Sequence, residues 1–119
     1  MRLAAARIFV TDLTRSAAWY RQLLGTEPTA GGPASGYVVF DAGADLVLEP
    51  VDDDSYIAAD VLIGRFTGLS LAVDDIRLAL LGLADTVDVV GAPEVQSWGG
   101  TLATIADPDG NQLQLVQYP

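Results

Sequence analysis

The 119-residue sequence contains no cysteine and no histidine. Without cysteine the chain has no disulfide framework, no thiolate nucleophile and no thiolate metal ligand, a composition that fits a reducing compartment. Without histidine it lacks the commonest general base and the commonest transition-metal ligand near neutral pH. The Ser-His and Cys-His nucleophile schemes are therefore excluded, and any metal site must be built from carboxylates, amides and water.

Long apolar runs are missing as well. No run approaches the ~20 residues that a membrane span requires, and Arg2 is not followed by the apolar core of a signal peptide. We therefore expect a cytoplasmic protein with no membrane partner. Half of the residues are apolar, which is enough for a packed core, and the length is that of one domain.

Positive charge is scarce. Sixteen acidic residues face six arginines and no lysine, which gives a net charge of −10. Such a field repels a phosphate backbone, so we expect no nucleic-acid partner, whereas a cationic small molecule would be attracted. The same charge also keeps a protein soluble, and that simpler interpretation stays open at this point.

The two halves of the sequence repeat one pattern. Ile8 to Leu13 and Leu71 to Ile76 each combine strand-like alternation with an aspartate able to cap a helix, and each leads into helical spacing. Strand–turn–strand patterns follow at 37–49 and 102–117, with weaker strands near 27–29 and 87–90. Each half is thus predicted as β-α-β-β-β: module 1 at about 1–51, a linker at about 52–66 and module 2 at about 67–119. The linker contains the acidic run Asp52-Asp53-Asp54 and is predicted to be a solvated loop.

Two strings carry a family resemblance that spans nearly the whole chain. The first is Val10-Thr11-Asp12-Leu13, Ser16, Trp19-Tyr20 and Leu23-Leu24-Gly25; the second is Trp98-Gly99, Asp107-Pro108-Asp109-Gly110-Asn111 and Leu113-Gln114-Leu115. They resemble the opening and the closing hairpin of the glyoxalase/bleomycin-resistance/dioxygenase (vicinal oxygen chelate) superfamily. The resemblance implies a single α+β domain over 1–119, in which two βαβββ modules form a curled mixed sheet with a concave ligand cavity. It does not fix the function, because isomerases, dioxygenases, thiol transferases and binding proteins share this scaffold.

Strand alternation divides the side chains between two faces. Ile8 and Leu48 exemplify the face expected to pack in the core, while Arg7 and Glu49 exemplify the opposite face, which mixes polar and apolar residues. A half-solvated antiparallel sheet alternates in the same way, but the resemblance implies that the mixed face lines the ligand cavity. The predicted ligand-binding residues are Arg7, Phe9, Phe40, Asp45, Val47, Glu49, Tyr56, Ser70, Trp98, Leu102, Thr104, Gln112 and Gln114.

The resemblance also implies where metal ligands would stand in metal-dependent members. The four equivalent positions here are Ala5, Val47, Gly68 and Gln114, and the first three have no donor side chain. A lone amide oxygen does not hold a divalent cation against water. Adding Asp45 and Glu49, which flank Val47, makes at most a poor site. We therefore expect no metal and no other cofactor, and we assign no catalytic residue.

Two of the predicted ligand-binding residues have a second interpretation. Arg7 would either bind a ligand's carboxylate or carbonyl, or neutralise Asp45 or Glu49, since a buried charge needs a partner. Trp98 offers a flat face to an aromatic or cationic ligand, or else wedges the turn before Gly99. For both residues the sequence leaves the choice open.

The leading functional hypothesis is a metal-free binding protein that holds and sequesters an aromatic or cationic antibiotic-like compound. The alternative is a glyoxalase-like enzyme: a metal-dependent isomerase, lyase or dioxygenase, or a metal-free acid–base catalyst that uses Glu49 or Asp45 with Arg7. The resemblance further implies a homodimer, with two-fold symmetry as the usual arrangement.

Overall fold

The computed structural model describes residues 1–51, 54 and 57–119. The chain divides into two compact units, Met1–Arg65 and Phe66–Pro119. From here on, module 1 and module 2 denote these two units, so module 1 extends to Arg65, beyond its predicted end at about residue 51. The described part of the predicted linker is therefore grouped almost entirely with module 1.

Module 1 contains one four-stranded mixed sheet. Its elements in chain order are β1 (Ala5–Val10), α1 (Leu13–Leu24), β2 (Ala30–Gly32), a 3₁₀ turn (Pro33–Ser35), β3 (Tyr37–Ala42), β4 (Ala44–Pro50) and α2 (Ala59–Leu62). The strand order is β1-β4-β3-β2. Strand β1 runs parallel to β4, while the β3–β4 and β2–β3 pairs are antiparallel.

Module 2 repeats this topology. Its elements are β5 (Phe66–Ala72), α3 (Ile76–Gly82), β6 (Asp88–Val95), β7 (Thr101–Ala106) and β8 (Gln112–Gln117). The strand order is β5-β8-β7-β6, with β5 parallel to β8 and the other pairs antiparallel. The predicted repeat and the α+β class are confirmed, with one sheet in each module.

The predicted capping aspartates begin the helix of each module. The Asp12 side chain accepts a hydrogen bond from the backbone N–H of Arg15 at 3.0 Å. Asp75 accepts from the backbone N–H groups of Arg77 and Leu78 at 3.0 and 3.1 Å. These bonds satisfy N–H groups that have no partner within the helix. Helix α1 ends at Gly25, whose φ of 66° is the left-handed conformation that glycine adopts without steric cost.

The residues buried on the core side of each sheet confirm the predicted division into a core face and a mixed face. In module 1 the apolar side of the sheet packs with α1, and Tyr20 of that helix is fully buried. The ring of Trp19 meets Tyr20 edge-on, with 4.7 Å between centroids. The buried apolar residues of the core face are Ile8, Val10, Val38, Phe40, Leu46 and Leu48 in module 1, and Ala103, Ile105, Leu113 and Leu115 in module 2. Val116 is also buried, although it lies on the mixed face opposite Leu102.

Some element boundaries differ from the prediction. Strand β2 lies at Ala30–Gly32 instead of 27–29, and β6 extends over Asp88–Val95. Strand β2 is defined by its pairing with β3, and Gly31 lies so close to Tyr37 that a Cβ there would collide with the ring and carbonyl of Tyr37. The short helix α2 and the 3₁₀ turn were not predicted, since neither has a side-chain cap. Among the described residues, no helix has the length and apolar character needed to cross a membrane.

The turn between β7 and β8 depends on a buried aspartate. Asp107 is 4% exposed, and its Oδ1 accepts from the backbone N–H groups of Asp109 and Asn111, both at 2.9 Å. Its Oδ2 accepts from the side-chain amide of Asn111 at 3.0 Å. The Asp-Pro-Asp-Gly-Asn string is therefore turn chemistry, as the sequence predicts.

We predict that Asp107→Ala lowers the free energy of unfolding by at least ~2 kcal/mol, because it leaves buried donors without their acceptor. The matched control is Asp41→Ala in the equivalent turn of module 1. There the exposed carboxylate accepts one backbone N–H, that of Gly43, so we expect a loss of no more than about 1 kcal/mol. Urea unfolding of both variants measures the difference. Equal losses would show that the Asp107 network is not a main support of the turn.

Candidate functional site

A pocket of about 290 Å³ opens on the mixed face of module 1. Its walls come from two sources: the ends of β1 and β4, and the segment that leads through α2. The lining residues are Arg7, Phe9, Glu49, Pro50, Val51, Ile57 and Leu62. Arg7, Phe9 and Glu49 were predicted to bind ligand, and the structure places them in one pocket.

The parallel register of β1 and β4 brings these three side chains together. Arg7 stands beside Val47, and Phe9 stands beside Glu49. Side chains alternate along a strand, so Arg7 and Phe9 share the face opposite to the fully buried Ile8. Glu49 is the diagonal neighbour of Arg7 across the strand pair, a separation that two long side chains can bridge.

The charged groups of the pocket are paired with each other. Arg7 Nη1 lies 3.5 Å from both Oε1 and Oε2 of Glu49, and the guanidinium carbon lies 5.4 Å from the centre of the Phe9 ring. Of the two interpretations of Arg7, the structure shows the pairing with an internal carboxylate. The Arg7 side chain is 59% exposed and that of Glu49 is 33% exposed. A pair this long and open contributes only ~0–1 kcal/mol to stability, so a ligand can compete for either partner.

Beyond the pocket, the mixed face of module 1 carries apolar residues first and then acidic residues further along β3 and β4. Val47 is half-buried beside Val39 of the neighbouring strand. One pleat further along, Asp45 stands directly opposite Asp41, and both are exposed. Like charges in directly opposed positions repel each other. The predicted residue Asp45 therefore lies on the expected face, while the pocket lining of module 1 does not include it.

Phe40 lies on the other side of the sheet. It is fully buried and stands opposite Leu46, a core residue of β4. Because opposed residues of an antiparallel pair point to the same face, Phe40 belongs to the core that packs with α1. Its assignment as a ligand-binding residue is corrected here: the alternation of β3 places Val39, and not Phe40, on the mixed face.

The mixed face of module 2 carries five of the predicted ligand-binding residues. Gln114 lies between Ser70 of β5 and Thr104 of β7, and its amide donates to Thr104 Oγ1 at 3.4 Å. Gln112 and Leu102 lie on the same face, opposite Ala106 and Val116 respectively. These five residues are uncharged, and the acidic residues Asp88 and Glu94 lie at the edge of this face on β6, opposite Ala106 and Leu102.

Trp98 has a structural role within module 2. It lies in the turn between β6 and β7, where Gly99 donates to the Gln96 carbonyl at 2.9 Å. Its ring covers Gly100, since a Cβ there would collide with the ring, and it lies 6.0 Å from the ring of Tyr118. Half of Trp98 remains exposed, so the ring also keeps a surface for stacking. The other predicted aromatic residue, Tyr56, lies outside the described residues.

Sequence reasoning missed the apolar wall of the pocket. Pro50 and Val51 follow the end of the predicted strand, and Ile57 and Leu62 lie in a segment predicted to be solvated because of its acidic run. A signal was present, since Ile57, Val61 and Leu62 are apolar residues with no predicted packing partner. Ile57 and Leu62 line the same pocket as residues of β1 and β4, an arrangement that local patterns do not encode.

The side chains at the implied metal positions do not form a ligand set. In module 1, the side chains of Ala5 and Val47 offer no donor atom; in module 2, Gly68 has no side chain and lies where the register shifts between Phe66 and Ser70. Gln114 alone retains an amide oxygen. Across residues 1–51, 54 and 57–119, no group of three or more acidic side chains is arranged to hold a metal ion.

Comparison with known proteins decides the family. The model of the Glyoxalase/Bleomycin resistance protein/Dioxygenase superfamily matches residues 2–115. The chain belongs to this superfamily. This confirms the resemblance inferred from the two sequence strings.

Solved structures of superfamily members share the fold over almost the whole chain. A member from Sphaerobacter thermophilus is 27% identical, covers 98% of this chain and 97% of its own, and has a TM-score of 0.77. A glyoxalase/bleomycin resistance protein from Catenulispora acidiphila is also 27% identical, with coverage of 97% and 96% and a TM-score of 0.70. A bleomycin resistance protein from Klebsiella pneumoniae is 57% identical over 28 residues. That match spans 24% of this chain and only 22% of the Klebsiella protein.

Proposed function

We propose that this superfamily member is a metal-free binding protein for a small organic molecule, and that the pocket of module 1 takes the ligand. The observation that carries the proposal is the composition of this pocket. It combines an open ion pair with walls formed by Phe9, Pro50, Val51 and further apolar residues. Ligand pockets are typically mostly apolar, with a few polar groups that orient the ligand.

The charge of the module 1 face supports a ligand with a positive group. On the strands β1, β3 and β4 as described, three carboxylates, those of Asp41, Asp45 and Glu49, share this face with the cation of Arg7. The net charge of −10 acts in the same direction at longer range, raising the local concentration of cations at low salt.

The aromatic preference of the ligand rests on Phe9. Its half-buried ring lines the pocket and already contacts the Arg7 guanidinium. A flat ligand would stack on this layer, and an aromatic contact adds ~0.5–1.5 kcal/mol beyond simple burial. The match to a bleomycin resistance protein supports a role in sequestering an antibiotic-like compound by binding without chemistry.

No specific observation favours the alternative of an enzyme. A metal-dependent reaction lacks a fitting ligand set among the described side chains. Acid–base catalysis by Asp45 or Glu49 has no geometric support either, because Asp45 is exposed outside the pocket lining and Glu49 is bonded to Arg7.

The binding proposal predicts different responses to two substitutions in the pocket. Glu49→Gln should weaken an aromatic cation such as tryptamine about tenfold, by removal of a charged acceptor, while hardly changing a neutral ligand of the same shape. Phe9→Ala should weaken both ligands. Calorimetric titration measures the affinities. The matched control is Glu27→Gln, which removes a carboxylate paired with Arg21 at 2.8 Å outside the pocket lining; a loss as large in this control would contradict the proposal.

The metal-free part of the proposal predicts that protein purified without chelators carries no stoichiometric transition metal, because Ala5, Val47 and Gly68 provide no donors. Elemental analysis of the intact protein is the measurement. About one zinc, iron or manganese ion per chain, lost in Gln114→Ala, would refute this part while leaving ligand binding open.

We also propose a homodimer, supported by an apolar surface on α3. Leu78 and Leu81 are 68% and 77% exposed, and counting from the capping aspartates they correspond to Arg15 and Ala18 of α1. Exposed apolar patches commonly mark interfaces. The double variant Leu78→Arg/Leu81→Ala copies the α1 residues and should convert a dimer into a folded monomer in sedimentation experiments. A wild-type monomer at micromolar concentration would exclude the dimer.

A further inference from the structure

The two charged side chains of the module 1 pocket, Arg7 and Glu49, contact each other, so a ligand that binds one also affects the other. Arg7 Nη1 is 3.5 Å from both carboxylate oxygens of Glu49, and both side chains line the same pocket. In this geometry Arg7 contacts Glu49 through one of its nitrogens, which leaves donors on Nη2 and Nε directed elsewhere. The pair therefore presents a positive group and a negative group side by side to any ligand that enters.

A ligand with one charge disturbs this pair. A cation that binds Glu49 weakens the Arg7–Glu49 contact and leaves Arg7 less compensated. An anion that binds Arg7 weakens the same contact and leaves Glu49 less compensated. In both cases one charge of the pair loses part of its compensation, which costs little for Arg7, whose side chain is 59% exposed, and more for Glu49, whose side chain is 33% exposed. A neutral ligand gains only the apolar contact.

We infer that the ligand of this pocket is a zwitterion on a planar apolar body, with its cation bound to Glu49 and its anion to Arg7. This inference rests on the proposed function and specifies the ligand class. A zwitterion replaces the Arg7–Glu49 contact with two charge-assisted hydrogen bonds, so both protein charges stay compensated. The planar body lies along Phe9, whose ring already contacts the guanidinium at 5.4 Å.

The size of the pocket limits the planar body. A volume of about 290 Å³ lies just below the ~300–1,000 Å³ range of ligand pockets. One fused aromatic ring system with a short charged arm suits that space. A larger compound would enter this pocket with only such a portion of its structure.

Four indole probes with the same ring system separate the contributions of charge. Tryptophan is a zwitterion, tryptamine is a cation, indole-3-propionate is an anion and 3-methylindole is neutral at pH 7. We expect tryptophan to bind roughly tenfold more tightly than the two singly charged probes, the effect of one additional charged hydrogen bond, and 3-methylindole to bind most weakly. Isothermal calorimetry at low and high salt is suitable, because it does not depend on the fluorescence of Trp19 and Trp98.

Two substitutions assign each charge to its partner. Arg7→Gln should remove the advantage of tryptophan over tryptamine, and Glu49→Gln should remove its advantage over indole-3-propionate. The matched control is the double variant Arg21→Gln/Glu27→Gln, which neutralises another Arg–Glu pair of module 1 and should leave the order of the four affinities unchanged. Thermal unfolding of each variant verifies that the fold is retained.

The outcomes distinguish the inference from the proposed function. If tryptamine binds as tightly as tryptophan and Glu49→Gln weakens both, the pocket binds cations as proposed and the zwitterion inference is wrong. If indole-3-propionate binds best, and binding is lost with Arg7→Gln, both the cation preference and the inference are wrong. If none of the four probes binds at millimolar concentration, the assignment of ligand binding to this pocket fails together with the inference.

Discussion

In each module the first strand pairs in parallel with the last strand of the hairpin, and the arrangement of the site depends on that register. In module 1 it sets Arg7 beside Val47 and Phe9 beside Glu49. A shift of one residue would turn Arg7 towards the core and Ile8 towards the pocket, since side chains alternate along a strand. The burial of Ile8, Val10, Leu46 and Leu48 excludes that shift. The apolar core thus positions the charged residues without contacting a ligand itself.

The scarcity of positive charge gives Arg7 its importance. With six arginines and no lysine against sixteen acidic residues, most carboxylates have no cation to pair with, and on the mixed face of module 1 Asp41 and Asp45 oppose each other directly. Glu49 is the carboxylate on this face that the structure pairs with Arg7. The pocket therefore contains a pair of opposite charges on a face that is otherwise acidic. For this reason the charge of the ligand identifies its class better than its shape does.

The repeat also shows that topology and site chemistry are independent. Both modules have the same strand order and the same aspartate cap at the start of a helix. Yet the rows that hold Arg7 and Val47 in module 1 hold Ser70 and Gln114 in module 2. Core positions retain their apolar character because they stabilise the sheet, whereas positions on the opposite face vary without loss of the fold. Superfamily membership is accordingly firm, while the ligand has to be inferred from individual side chains.

Local signals were sufficient for the repeat, the helix starts at Asp12 and Asp75, the turn at Asp107 and the faces of β1, β4 and β8. These features depend on short-range periodicity and on hydrogen bonds between residues at most four positions apart. They also suggested Asp45 or Glu49 as an internal partner of Arg7, without choosing between such a pairing and a ligand contact. Three features required the tertiary structure: the burial of Phe40, the position of Ile57 and Leu62 in one pocket with residues of β1 and β4, and the ion pair across 42 residues of chain. Each depends on which strands become neighbours, and that choice is made by the whole core and not by the residues around any one position.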